Sequence, residues 1–131
     1  MLRVALSLVA VCWCLTSPSW SDDQLQFNRD IRPILSAACY RCHGFDAKAR
    51  QADLRLDVGD EAMNERDSGK TIVPGKPDES LLWQRIASSD PDEVMPPPDA
   101  IRQLTEQERD TLRRWLQQGG AYQKHWALEP I

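Results

Sequence analysis

Apolar residues recur at helical spacing in three stretches of the chain, which predicts three main helices. These positions are Ile31, Ile34, Leu35 and Ala38 in the first stretch, Leu81, Leu82, Ile86 and Ala87 in the second, and Leu112, Trp115 and Leu116 in the third. Pro77 is expected to open the second helix. The third has the clearest boundaries, because Thr105 and Glu108 form a capping box before it and Gly119-Gly120 follows it.

The middle of the chain, residues 44–77, has no such period. Leu54–Leu56 alternates like a short strand, and Glu61–Arg66 has the length of one or two helical turns. Ser68-Gly69 and Pro74-Gly75 are turn signals. This middle region is therefore expected to be rich in loops, with room for a short hairpin.

The first residues of the chain have the features of a secretory signal. Arg3 precedes an apolar run, Val4–Leu15, that is too short for a membrane span of about 20 residues. Ser19-Trp20-Ser21 offers small residues where a signal peptidase reads, so cleavage after Ser21 is expected in preference to a retained membrane anchor. The chain then divides into a signal peptide at 1–21, one domain at 22–127 and a short tail at 128–131, exported and without a membrane span after cleavage.

Composition narrows the class of partner. The 131 residues include 20 acidic against 16 basic side chains, and no segment concentrates Lys and Arg. A nucleic-acid partner is therefore not expected. Cleavage would leave Cys39 and Cys42 as the cysteines of the mature chain, and a disulfide closing so short a loop would add little stability.

The string Cys39-Tyr40-Arg41-Cys42-His43 predicts a different use for these thiols. Two thiols one helical turn apart can reach two substituents on one edge of a large flat molecule. The histidine that directly follows the second thiol can then place its imidazole against the centre of that molecule. This is the arrangement that attaches haem c through thioethers and supplies an axial iron ligand. A thioredoxin-like pair or a zinc site with distant His125 fits less well, because no βαβ unit is indicated and adjacent Cys42 and His43 cannot easily face one ion.

The second axial position of the iron needs another ligand. Met95 is followed by three prolines, which favour a stiff extended loop that can present a thioether from outside a helix. Methionine ligation raises the reduction potential, as suits an electron carrier. We therefore predict Met95 as the distal ligand, with His125 as the main rival and Met63, which lies among polar residues, as a weaker candidate.

A series of separate motifs resembles the planctomycete-type cytochrome c domain. These motifs are Phe27–Leu35, Cys39–Gly44, Leu54–Asp57, Ser68-Gly69, Ile72–Pro77, Met95–Pro97 and His125-Trp126. The resemblance implies an all-α, small class I-like cytochrome c fold with three main helices around one haem. It also implies that Cys39 and Cys42 are the thioether donors, His43 the proximal ligand and Met95 the distal ligand.

The function expected from these observations is that of an exported c-type cytochrome, an electron carrier and not an enzyme, with one covalent haem. The cytochrome c maturation machinery would install the haem, and the sequence does not identify the redox partner. Two alternatives belong to other classes: a haem-based sensor or peroxide-handling module, and a redox-entry domain of a larger exported enzyme. The second arises because the domain usually stands at the front of a much longer exported protein in the family it resembles.

Overall fold

The computed structural model describes residues 24–124 of the chain. The predicted signal peptide at 1–21, the predicted tail at 128–131 and the rival ligand His125 lie outside these residues. In chain order the elements are a π-helical turn at Phe27–Ile31, α1 at Arg32–Ala38, α2 at Gly59–Met63, β1 at Glu65–Arg66, β2 at Gly69–Lys70, a 3₁₀ turn at Pro77–Glu79, α3 at Leu81–Ala87 and α4 at Glu106–Gln117.

The prediction of an all-α fold with three main helices is wrong. The described residues form four short α-helices and a two-stranded antiparallel sheet, and helical residues make up 39% of them. The sheet pairs Glu65 with Lys70 and Arg66 with Gly69, where a φ of 107° at Gly69 allows the chain to reverse. Apolar spacing identifies faces that become buried, but it does not fix how long each helix continues.

The second predicted helix illustrates why the elements are shorter than the pattern suggested. Its first residues form the separate 3₁₀ turn, and Ser80 is extended with a ψ of 122° before α3 begins. The Ser80 side chain is fully buried and its hydroxyl donates to the Lys76 carbonyl at 2.9 Å, while Oγ accepts from the Val73 N–H at 2.9 Å. These side-chain bonds compete with a continuous helix.

The predicted boundaries of α4 are confirmed. The Thr105 side chain accepts a hydrogen bond from the Glu108 N–H, and the Glu108 carboxylate accepts one from the Thr105 N–H. Beyond α4, Gly119 and Gly120 have φ values of 110° and 64°, which end the helix. Local capping chemistry therefore determines this element.

The core lies between α4 and the continuous helical segment formed by the π-helical turn and α1. Phe27 and Ile31 from the π-helical turn and Leu35 from α1 are fully buried, as are Leu112 and Leu116 from α4. This packing fixes the direction in which α1 delivers the chain to Cys39. Among residues 24–124, no helix is long and apolar enough to cross a membrane.

Candidate functional site

The cysteine and histidine motif folds into one tight turn at the end of α1. Cys39 is the C-cap of α1 and its N–H donates to the Leu35 carbonyl at 2.8 Å. Its own carbonyl accepts hydrogen bonds from the Cys42 N–H at 3.1 Å and from the His43 N–H at 2.8 Å. The structure thus brings Cys39, Cys42 and His43 together, as the spacing required. We call residues 39–44 the attachment turn.

A glycine closes the attachment turn for a steric reason. Gly44 is buried, and a β carbon at this position would lie on the backbone carbonyl oxygen of Tyr40. A side chain at position 44 would therefore force the turn open. Gly44 is part of the predicted motif, but the need for a residue without a side chain at this position is not visible in the sequence, because it depends on how closely two parts of the backbone approach each other.

Two backbone hydrogen bonds attach the following loop to this turn. The Gln51 N–H donates to the Cys42 carbonyl at 2.7 Å, and the Leu56 N–H donates to the His43 carbonyl at 2.8 Å. Leu56 is buried, and its carbonyl accepts a hydrogen bond from the Tyr122 hydroxyl at 3.0 Å. Residues 51–56 therefore form a strap that holds the attachment turn against the body of the protein.

A second layer of hydrogen bonds supports the strap itself. Ala52 and Asp53 have φ values of 52° and 49°, a left-handed conformation that is costly for residues other than glycine. Arg66 from β1 donates through one guanidinium nitrogen to both of their carbonyls. The small sheet therefore has a positioning role beside the attachment turn.

The two cysteines of the turn do not form a disulfide with each other. Cys39 is partly buried and Cys42 is exposed. Burial raises the pKa of the Cys39 thiol to about 12, and the nearby Cys42 acts in the same direction. Among the residues that the structure describes, no group of three or more His, Cys, Asp or Glu side chains converges as a metal site.

His43 is held as a neutral imidazole. Burial lowers the pKa of His43 because it disfavours the charged ring; the backbone of Gln51 opposes this shift and the charge of Arg66 adds to it. Although Gln51 is near, Nδ1 of His43 is buried and has no hydrogen-bond partner. The neutral ring is the form that binds a metal ion, and its environment suits an axial iron ligand.

Met95 lies on the loop that follows α3. Its N–H donates to the Arg85 carbonyl at 3.0 Å, which fastens the loop to α3, and the next residue, Pro96, is buried. Met95 itself is partly buried. Met63, in contrast, does not lie on a purely polar turn, because it ends α2 and packs against the hydrophobic core. The loop position of Met95 agrees with its predicted role, which stays a prediction.

The distribution of unpaired polar atoms tests whether these residues fit a haem group. Among described side chains, the buried nitrogen and oxygen atoms without a hydrogen-bond partner are the Tyr40 hydroxyl, Nδ1 of His43 and Nε of Arg50. All three belong to the attachment turn or the residues just after it. Buried polar groups in proteins are rarely unpaired, so each of these atoms is a candidate for a partner outside the described residues. The two thiols and the imidazole, held on one turn, fit a covalently attached haem.

Comparison with known proteins agrees with this geometry. The family model described as Planctomycete cytochrome C matches residues 39–99, and this confirms the resemblance noted in the sequence. The matched segment begins at Cys39 and includes Cys42, His43 and Met95. None of the curated proteins and none of the solved structures compared with the chain matches it.

Proposed function

We propose that the chain, whose residues 39–99 match the Planctomycete cytochrome C family model, is an exported c-type cytochrome that transfers single electrons. Cys39 and Cys42 would hold one haem by thioether bonds, His43 would be its proximal ligand and Met95 its distal ligand. The haem supplies an iron that changes between the ferric and ferrous states. The observation that carries this proposal is the attachment turn, in which the Cys39 carbonyl accepts hydrogen bonds from the N–H groups of both Cys42 and His43.

The surrounding residues have a positioning task. The strap holds the backbone of Cys42 and His43 through two hydrogen bonds, which would fix the position from which the imidazole reaches a haem iron. Burial keeps His43 neutral and available to the metal. A partly buried site whose backbone is fastened by these hydrogen bonds would change little in structure on electron transfer, and this favours a carrier function over a reaction that needs substrate access.

The proposal extends to maturation and location. Removal of residues 1–21 would accompany export, and the cytochrome c maturation machinery would form the thioether bonds on the exported side of the membrane. A redox partner protein would exchange the electron. Mass spectrometry of the purified chain tests the first step, because a mature N-terminus at Asp22 is expected and a retained Met1 would contradict cleavage.

Spectroscopy of the purified holoprotein tests the carrier function. We expect low-spin, six-coordinate iron in both oxidation states and no binding of carbon monoxide at modest concentration. High-spin ferric iron or ready ligand binding would contradict the proposal and favour a haem sensor or peroxide-handling module.

Replacing Met95→Ala tests the distal ligand. The variant is expected to bind carbon monoxide and to have a lower reduction potential, since the thioether stabilises ferrous iron. The matched control is Met63→Ala, which removes a methionine that packs against the core and should leave the spectrum unchanged. An unchanged spectrum in Met95→Ala would assign the sixth position to another group, such as His125.

A further inference from the structure

Arg50 is a largely buried arginine whose hydrogen-bonding capacity is incompletely used. Only 18% of its side chain is exposed, and its Nε is buried without a hydrogen-bond partner. Its ion-pair partner is Asp53, at 3.3 Å from one terminal nitrogen, and the side chain of Asp53 is 90% exposed. Burial of a guanidinium costs free energy unless its N–H groups have hydrogen-bond acceptors. An ion pair with a carboxylate as exposed as that of Asp53 compensates for this cost only weakly.

The backbone places Arg50 directly beside the attachment turn. The Arg50 N–H donates to the Asp46 carbonyl at 2.9 Å, and the next residue, Gln51, is bonded to the Cys42 carbonyl. Arg50 therefore stands at the point where the chain returns to the second thioether-forming cysteine. A group bonded to Cys42 would lie beside the residues from which the Arg50 side chain extends.

The partly buried carboxylate of Asp57, which feels the charge of Arg50, does not satisfy its Nε. The Arg55 guanidinium lowers the pKa of Asp57 by direct hydrogen bonds, and the charge of Arg50 contributes only as a weaker, more distant effect. Arg55 reaches both oxygens of Asp57, at 3.1 and 2.5 Å. Asp57 is thus already paired in a bidentate manner, and Arg50 still lacks an acceptor for Nε.

We propose that Arg50 binds a propionate carboxylate of the haem. This inference rests on the proposed function, because it needs a haem bonded at the attachment turn. A guanidinium presents its N–H groups in a planar fork that matches a carboxylate, whereas a lysine would supply only a point charge. The Tyr40 hydroxyl, also buried and unpaired, is a second donor in the same region, and Asp57 acts electrostatically on both side chains.

The test compares the holoprotein with the variants Arg50→Gln and Lys48→Gln. Lys48 lies in the same loop, is exposed and carries the same charge, so its variant controls for the loss of one positive charge. Two measurements are made: the reduction potential as a function of pH, and the propionate bending band in the resonance Raman spectrum. An adjacent cation lowers a carboxylate pKa by about one pH unit or more. In Arg50→Gln the pH range in which the reduction potential changes should therefore move to higher pH by about that amount.

The Raman band should shift in Arg50→Gln and stay unchanged in Lys48→Gln. Arg50→Lys keeps the charge but removes Nε and the planar fork, so it should shift the band while moving the pH dependence less. This variant provides the test if Arg50→Gln does not accumulate with haem. Unchanged bands in the Arg50 variants, with pH curves that follow Lys48→Gln, would overturn the proposal while the haem itself remained attached. A wild-type protein without haem would instead reject the proposed function together with this inference.

Discussion

Gly59 at the start of α2 is expected to be intolerant of any side chain. A β carbon at this position would lie 2.7 Å from Cγ and 2.9 Å from Cβ of Tyr122. Tyr122 cannot move freely, because its hydroxyl donates to the Leu56 carbonyl at 3.0 Å and its ring centroid lies 4.2 Å from that of Phe27. Gly59→Ala should therefore push Tyr122 away from the strap that holds the attachment turn.

The expected loss of stability follows from these contacts. Overpacking of a well-filled site costs about 1–3 kcal/mol, and weakening the Tyr122 hydrogen bond costs about 1 kcal/mol. Alanine gains up to about 1 kcal/mol over glycine inside a helix, and less at its first residue. The net effect is a loss of about 2 kcal/mol, which lowers the Tm of a domain this size by roughly 8–16 °C.

Thermal and urea unfolding of the holoprotein, followed by circular dichroism, measures this change. A double-mutant cycle with Tyr122→Ala isolates the clash, because Gly59→Ala should be neutral or slightly stabilising once the ring is absent. Tyr122→Phe removes the hydroxyl alone and should cost about 1 kcal/mol. The reasoning is refuted if Gly59→Ala leaves stability unchanged, or if it destabilises the Tyr122→Ala background equally.

Two further predictions concern the attachment turn and α4. Gly44→Ala should reduce the ratio of bound haem to protein several-fold, because its β carbon overlaps the Tyr40 carbonyl oxygen; a normal ratio would contradict this. Hydrogen bonds from the Thr105 N–H and from Arg102 hold the pKa of Glu108 below its usual value. A carboxyl with a depressed folded-state pKa stabilises the fold above its unfolded pKa of about 4.3 and loses this contribution as the pH falls through the folded value. Urea unfolding should thus show that Glu108→Gln is less stable than wild type at pH 7 and that the difference shrinks in acid; a constant difference would refute this.

The elements that sequence predicted well are those with local signals. The start of α4 depends on the Thr105 and Glu108 side chains, three residues apart, and both are legible in the sequence. The hydrogen bonds of the attachment turn are likewise encoded within the five residues 39–43, since the Cys39 carbonyl accepts from the N–H groups of both Cys42 and His43. Chemistry that is complete within one turn of chain can be predicted without knowledge of the fold.

The parts that sequence could not predict depend on distant contacts. The left-handed residues Ala52 and Asp53 are supported by Arg66 from the small sheet, and no apolar period marks either segment. Arg50 is another example, because arginine is usually exposed and only the folded chain reveals its buried Nε. The fold class was wrong for the same reason: the middle region is organised by hydrogen bonds between segments and not by a repeated apolar stripe.

The central claim is that haem is bonded covalently to Cys39 and Cys42. Intact-mass spectrometry after extraction with acidic organic solvent tests it on protein produced in a host that can attach haem c. The wild-type chain is expected to retain the added mass of one haem, and the double variant Cys39→Ala/Cys42→Ala is expected to lose it. A wild-type chain without the added mass, or a double variant that keeps it, would contradict the account.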